Sequence, residues 1–384
     1  MSAGLPHKRR SIFSTVTALS FSGRQEQDCI DYVAKRSAGT EIVPISDEAQ
    51  LTLTADGRLS ESGYRFNVLG FISVCRAIST GLSRLFGEIS GELPSRLVDI
   101  EACSIPSAVS IYNESLRVRF DSLRERSILV DHNERVIDGF LGLNHKLLDN
   151  SVFLELIQNE RIAKTAETNF YRAELVGREL KVYILDPATR RTDIYTDPEH
   201  TFAAGWYFCN REDSGNSVRA VPCLYTRFGV AIAAEKQKQR LAHVGTDLAG
   251  RAGRLIASTL DQSFDFDELQ KRVHALIEFK LGFTDVTAEF AGVSKKWTAY
   301  LVSAGIPKDM AKAIVKNAAM VGSDIVPRNP LDVYTKKVLV TRSGYDLVCA
   351  VLRYARNQPT HMREKMQAVG MSMLLPTSKK QFGV

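Results

Sequence analysis

The chain has 384 residues, 44% of them apolar and 24% charged, an ordinary make-up for a folded protein of two or three domains that excludes global disorder. Its 50 basic and 44 acidic residues leave a net charge of +6, which permits a nucleic-acid partner without requiring one. No apolar run approaches the roughly 18 residues needed to cross a bilayer, and no cysteine pair has the C-x-x-C spacing of a common zinc site.

In chain order, Met1–Arg10 carries a basic cluster at Lys8, Arg9 and Arg10 and runs into a Ser/Thr-rich stretch, so it reads as an exposed arm. TLTADG reads as a strand into a turn, which makes residues 1–60 an arm plus a mixed strand region. In RFNVLGFISVCRAISTGLSRLF, Val68, Phe71, Ile72, Cys75, Ile78, Leu82 and Leu85 recur at three- and four-residue spacing and predict an amphipathic helix. Ser115–Phe120 alternates and SILV follows at Ser127–Val130, a pair of strands or a helix into a strand. Asp149 or Asn150 is placed to N-cap a helix over Ser151–Ile157.

From Asn169 the period becomes two. FYRAELVGRELKVYILDP predicts two strands around Gly177, and GWYFCNREDSGNSVRAVPCLYTRFGVAIA two more around Gly215-Asn216. Helical character is expected to resume at Ala233. The centre, residues 61–260, is therefore expected to hold an antiparallel sheet of three to four strands followed by a basic helix. Residues 261–384 read as a helical region. Asp265 and Glu268 form a capping-box pattern ahead of Leu269, Val273, Leu276 and Phe279. Further helices are predicted over Thr287–Ser303, from Pro307 to near Gly322, and over Tyr345–Arg356. The fold class is α+β. The six cysteines sit largely in apolar runs and read as buried free thiols.

Charge is uneven along the chain. Residues 216–254 hold seven Lys/Arg against two acids, residues 261–290 three against seven, and residues 332–384 nine against three. The acidic helix between basic zones suits either intramolecular pairing or a subunit contact, so a homo-oligomer is expected. Phosphate-loop, G-x-G-x-x-G, H-E-x-x-H and G-x-S-x-G motifs are all absent, so no catalytic residue, metal or cofactor is predicted. Glu212-Asp213 falls in a predicted acidic hairpin turn.

Two surfaces suit nucleic acid. On a helix after the sheet, Lys236, Arg240 and His243 would share one side, with Lys238 in the same basic stretch, and such a face could hold phosphate. On the strand SVRAVPCLYTRF, alternation puts Arg219, Tyr225 and Arg227 on one face, where charge and aromatic surface suit a single strand. Pro222 argues for an edge position or a bulge in that strand.

The segment FCNREDSGNSVRAVPCLYTRFGVAIAAEKQKQRLAHVGTDLAGR resembles the signature block of a phage- and plasmid-borne family, domain of unknown function 932. Asn210, Ser214 and Gly215 match its turn, Arg227 its arginine, and His243 with Gly245 its end. Leu148, Asp149 and Asn150 resemble an upstream L-D-N segment, and Thr341, Tyr345, Ala350 and Tyr354 resemble a closing helix. The family's Cys-x-Asn-Gly motif is missing, and Phe228-Gly229 stands in its place. The resemblance, over Arg65–Asn357, implies a phage or plasmid origin and a host-cytoplasmic location. The order of elements suggests a β-β-β-α core similar to that of phage single-strand annealing proteins.

The resulting expectation is a non-catalytic nucleic-acid-binding accessory protein of phage or plasmid replication or recombination, with single-stranded DNA one candidate ligand, the strand preference open and no membrane partner. The alternative is a self-associating virion or assembly protein. A third reading is an enzyme built on His243, Asp247, Glu212 and Asp213.

Overall fold

The computed structural model describes residues 18–82, 105–142, 144–164, 168–194, 201–213, 218–232, 239–262, 264–279, 289–320, 343–358 and 360–375. In it the period-two segments build two sheets. The larger starts from the hairpin β6 (Asn169–Val176) and β7 (Glu179–Leu185), closed at Gly177, whose φ of 58° is the left-handed conformation that glycine adopts without strain. β8 (Phe202–Arg211) and β9 (Val218–Thr226) extend it, antiparallel throughout.

This sheet has seven strands, not three or four. β1 (Ala18–Ser22) adds to β6, β10 (Gly229–Ile232) turns back onto β9, and β11 (Gln239–Leu241) also pairs with β9. Among the described residues six strands, β6 to β11, precede helix α5 (Leu248–Leu260), a longer run than the expected β-β-β-α. The basic helix expected after the sheet is corrected where it is described: Arg240 lies on strand β11, opposite Arg219, and His243 falls between β11 and helix α5, which starts at Leu248. Pro222 sits inside the sheet, opposite Trp206 of β8. On its other side the partner changes from β10, ending at Cys223, to β11, starting at Ala220, so a residue without an N–H falls where the ladder breaks.

The second sheet, in the order β2-β4-β5-β3, comprises β2 (Thr40–Pro44), β4 (Ser127–Asp131), β5 (Val136–Leu141) and the short parallel β3 (Arg65–Phe66). α2 (Val68–Ile78) packs on β5, capped by Asn67, whose side chain accepts from Gly70 N at 2.7 Å. The predicted helix thus starts on time but breaks at Ser79. Of the two alternatives for Ser115–Val130, the helix into a strand holds: α3 (Ile105–Arg119) buries Tyr112 and Leu116 against Phe71 and Leu51, and SILV follows as β4.

Helices α1 (Glu26–Ala38), α4 (Asn150–Lys164) and α5 (Leu248–Leu260) cover one face of the large sheet, meeting Trp206, Phe208, Leu175 and Val182. Asp149 caps α4 by accepting from Ser151 N at 2.7 Å, as the L-D-N-S pattern predicts. The C-terminal helices α6 (Phe266–Glu278), α7 (Glu289–Ser303), α8 (Lys308–Met320) and α9 (Gly344–Ala355) share a core with Phe202, Leu224 and Phe228. The stripe Leu269, Val273 and Leu276 is buried as predicted, and Asp265 caps α6 through Glu268 N.

A final helix, α10 (Thr360–Leu374), was not expected, and it lies across the other face of the large sheet. That face curls inward. Tyr225 of β9 crosses Gly205 of β8 to donate to Ile184 O of β7 at 3.1 Å, and its ring meets Tyr171 of β6 at 4.7 Å. A side chain at position 205 would collide with both that ring and the Ile184 carbonyl. Cys29, Cys75, Cys209, Cys223 and Cys349 are buried free thiols, as expected. Among the described residues no helix is long and apolar enough to cross a membrane. Met1–Arg10, the Gly215-Asn216 turn, Lys236, Lys238 and Thr341 lie outside the described residues.

Candidate functional site

The alternation along β9 holds: Arg219, Val221, Cys223 and Tyr225 point to one face. That face is covered by α10 and is not an open strand surface, which corrects the expected Arg219–Tyr225 interface. Arg219 reaches Glu179 at 2.9 Å and Glu364 of α10 at 3.3 Å. Glu364 also pairs with Lys181 and accepts from the Tyr207 hydroxyl at 2.8 Å. Burial works against the charge on Glu364, but Lys181 and Arg219 hold its carboxyl below the ordinary range. Arg219 is therefore occupied by an internal network, and Tyr225 is 7% exposed with its hydroxyl on a carbonyl.

His243 is corrected too. It lies in a loop, 4% exposed, with Nδ1 3.2 Å from the Lys146 carbonyl and its ring stacked on His145 at 5.2 Å. Burial pushes its imidazole down to about 4, with the neighbouring His145 acting the same way. Glu212 and Asp213 do not form a solvated turn either; both are almost fully buried at the end of β8. Asp247 is exposed and caps α5 through Gly250 N. These four do not share one solvent-open centre, and among the described residues no group of three His, Cys, Asp or Glu could hold a metal ion.

Glu212 belongs instead to a junction between the two sheets. Arg178, just after the β6–β7 turn, pairs with Asp131 at 2.9 Å, Asp138 at 2.5 Å and Glu212 at 3.2 Å. Arg36 at the end of α1 adds contacts to Asp131 at 3.3 Å and Asp138 at 3.4 Å. Two guanidinium groups thus face three carboxylates, and Glu212 is the surplus one. Burial pushes it up to about 7, against the pull of Arg178 and an N–H from Asn150. With every member within about a tenth of full burial, this is an interlock rather than a ligand site.

The open chemistry lies at the seam of the curled sheet, where β6 approaches β10, α9 and α10. β6 pairs with β7 through a register shift between Phe170 and Arg172, so Tyr171 is an extra residue in the strand. The bulge leaves Tyr171 44% exposed, edge-on to Tyr225. On one side of it is a shallow groove of about 730 Å³ along Ser20, Ser22, Arg24, Asn169 and Arg172. On the other is a cavity of about 190 Å³ lined by Arg172, Glu174, Tyr183, Arg356, Arg363 and Gln367, among others. Tyr171 and Arg172 line both.

Arg356 donates to the carbonyl of Arg227, so Arg227, exposed in the β9–β10 turn, sits at the rim. Of the predicted residues, then, Arg227 flanks this seam, Tyr225 supports Tyr171 from beneath, and Arg219, Arg240 and His243 are placed elsewhere. Sequence reasoning missed Tyr171, Arg172, Arg356 and Arg363. The basic excess over 332–384 was the one visible signal for the last two. No family model matches the chain, and no curated protein or solved structure matches it either.

Proposed function

We propose that the chain binds single-stranded nucleic acid without catalysing a reaction, and that the seam around Tyr171 is its contact surface. The observation that carries this reading is the bulged Tyr171, an exposed ring between two cavities whose linings bring together Arg24, Arg172, Arg356 and Arg363 against one acid, Glu174. Arginines neutralise phosphates and an exposed ring stacks on bases, the combination that holds single strands without sequence readout. The resemblance to the phage and plasmid family supplies the setting, an accessory role in replication or recombination.

Fluorescence anisotropy with labelled single- and double-stranded oligonucleotides across a salt series tests the reading. Affinity for single strands should fall steeply with salt. Arg356→Ala should make the slope of log affinity against log salt shallower by about 0.7, one phosphate contact. Tyr171→Ala should weaken binding by about 1–3 kcal/mol, the worth of one stacked base. No binding at low salt would overturn the proposal and favour self-assembly, which light scattering would then reveal.

A further inference from the structure

We propose that the half-open cavity at the seam is a base pocket, taking one nucleobase of the bound strand and selecting bases that carry an exocyclic amino group. This rests on the reading of the neighbouring groove as a single-strand surface. The cavity lies next to that groove and shares Tyr171 and Arg172 with it, so a strand in the groove passes the cavity mouth. Its volume of about 190 Å³ is below the roughly 300–1,000 Å³ of pockets that enclose whole ligands, so it suits one ring system rather than a complete nucleotide.

The lining says what kind of ring. Glu174 Oε2, Tyr183 Oη and Gln367 Oε1 are buried polar atoms with no hydrogen-bond partner among the described residues, and all three residues line this cavity. They are 3%, 2% and 6% exposed. Buried polar atoms are rarely left unpaired, because each gives up its water without a replacement. These three, with the unpartnered donor Arg363 Nε that lines the same cavity, point to a ligand that completes them.

Two of the three, the Glu174 and Gln367 oxygens, can only accept. The other Glu174 oxygen is held by Arg172 at 2.8 Å and by Arg363, which fixes the carboxylate in place. A ligand that fits must therefore bring N–H donors to two acceptors and an acceptor to Arg363 Nε. The amino edge of cytosine or adenine, an NH2 beside a ring-nitrogen acceptor, does so. Thymine offers a carbonyl at the corresponding position and would meet the carboxylate oxygen to oxygen. Arg356 and Arg172 at the mouth are left for the flanking phosphates, and Tyr171 for the neighbouring base.

The test uses the full chain and anisotropy with labelled homopolymers of dA, dC and dT of equal length at one salt concentration. Oligo-dC and oligo-dA should bind about tenfold tighter than oligo-dT, the discrimination of one well-made amino contact. Gln367→Leu, checked for folding by circular dichroism, should shrink the dC-to-dT ratio towards one. A probe independent of any variant is oligo-dC dimethylated at the exocyclic nitrogen, which lacks both donors and should fall to the affinity of oligo-dT. Equal binding of all three homopolymers, or full binding of the dimethylated strand, would overturn the base pocket and leave single-strand binding standing. Failure of every strand to bind would overturn the underlying reading as well.

Discussion

Glu212 and His243 make opposite pH signatures that one substitution separates. Glu212 is 1% exposed and its carboxyl is raised from 4.5 to about 7, first by burial. Below 4.5 the native and unfolded states both hold the proton, and the group contributes no slope. Between 4.5 and 7 the native state holds a proton that the unfolded state has released, so raising the pH destabilises the fold. A shift of 2.5 units at 1.36 kcal/mol each comes to about 3 kcal/mol lost by pH 7. His243 runs the other way. Its native value of about 4 against 6.5 means the unfolded state binds the proton first, so stability rises with pH over that window by about 3 kcal/mol. His145, also lowered by burial, adds to the rise. The two slopes oppose each other between 4.5 and 6.5, and the native chain should show a weak net dependence there. Asp213, also raised by burial, adds to the falling limb, and Glu212→Gln removes only the part that Glu212 contributes. The assay is urea unfolding followed by circular dichroism, for the native chain and Glu212→Gln, at intervals from pH 4.5 to 7.5. The stability of Glu212→Gln relative to the native chain should improve by about 3 kcal/mol across this range, whatever other groups titrate. A difference that does not change with pH would refute the assignment of Glu212 as the surplus carboxylate.

Arg178→Met strips three buried carboxylates of their shared cation and should cost about 3–5 kcal/mol, read as a lower denaturant midpoint. Glu364→Ala leaves Lys181 and Arg219 to share Glu179 under α10 and should cost less than Arg178→Met, about 1–3 kcal/mol, in the same measurement. Gly205→Ala drives a methyl into the Tyr225 ring and the Ile184 carbonyl and should destabilise by about 1–3 kcal/mol or more, seen as a lower thermal midpoint. The thiols of Cys209 and Cys223 should react with a thiol reagent only on unfolding, since both are buried and Cys209 is pushed up to about 12.

What could be read from the sequence was local. Gly177 between two period-two runs marks a hairpin, and L-D-N-S marks a helix start, because each signal lies within a few residues of the element it specifies. What could not be read depended on distant partners. β11 is three residues long and exists only because β9 offers it an edge. β1 pairs with a strand about 150 residues downstream, and nothing in ALSFS announces that register. α1 buries only Cys29 and Val33, too thin a stripe to stand out by periodicity.

α10 explains the larger miss at the site. Helices are recognised by an apolar stripe, but part of what α10 covers is polar, so it meets the sheet with Arg363, Glu364 and Gln367. The same omission made the Arg219–Tyr225 face look open, because alternation assigns residues to a face without saying what lies on it. Arg219 and Tyr225 have the residue chemistry of a nucleic-acid surface and are spent on Glu364 and the Ile184 carbonyl. Tyr171 and Arg172 have the same chemistry on β6, with β7 and β8 between, at a bulge that leaves Tyr171 exposed. The difference between a structural and a binding arginine here is whether a carboxylate from a distant helix consumes its whole charge. At the seam two arginines, Arg172 and Arg363, share the single carboxylate of Glu174, and Arg356 adds a further positive charge to the lining.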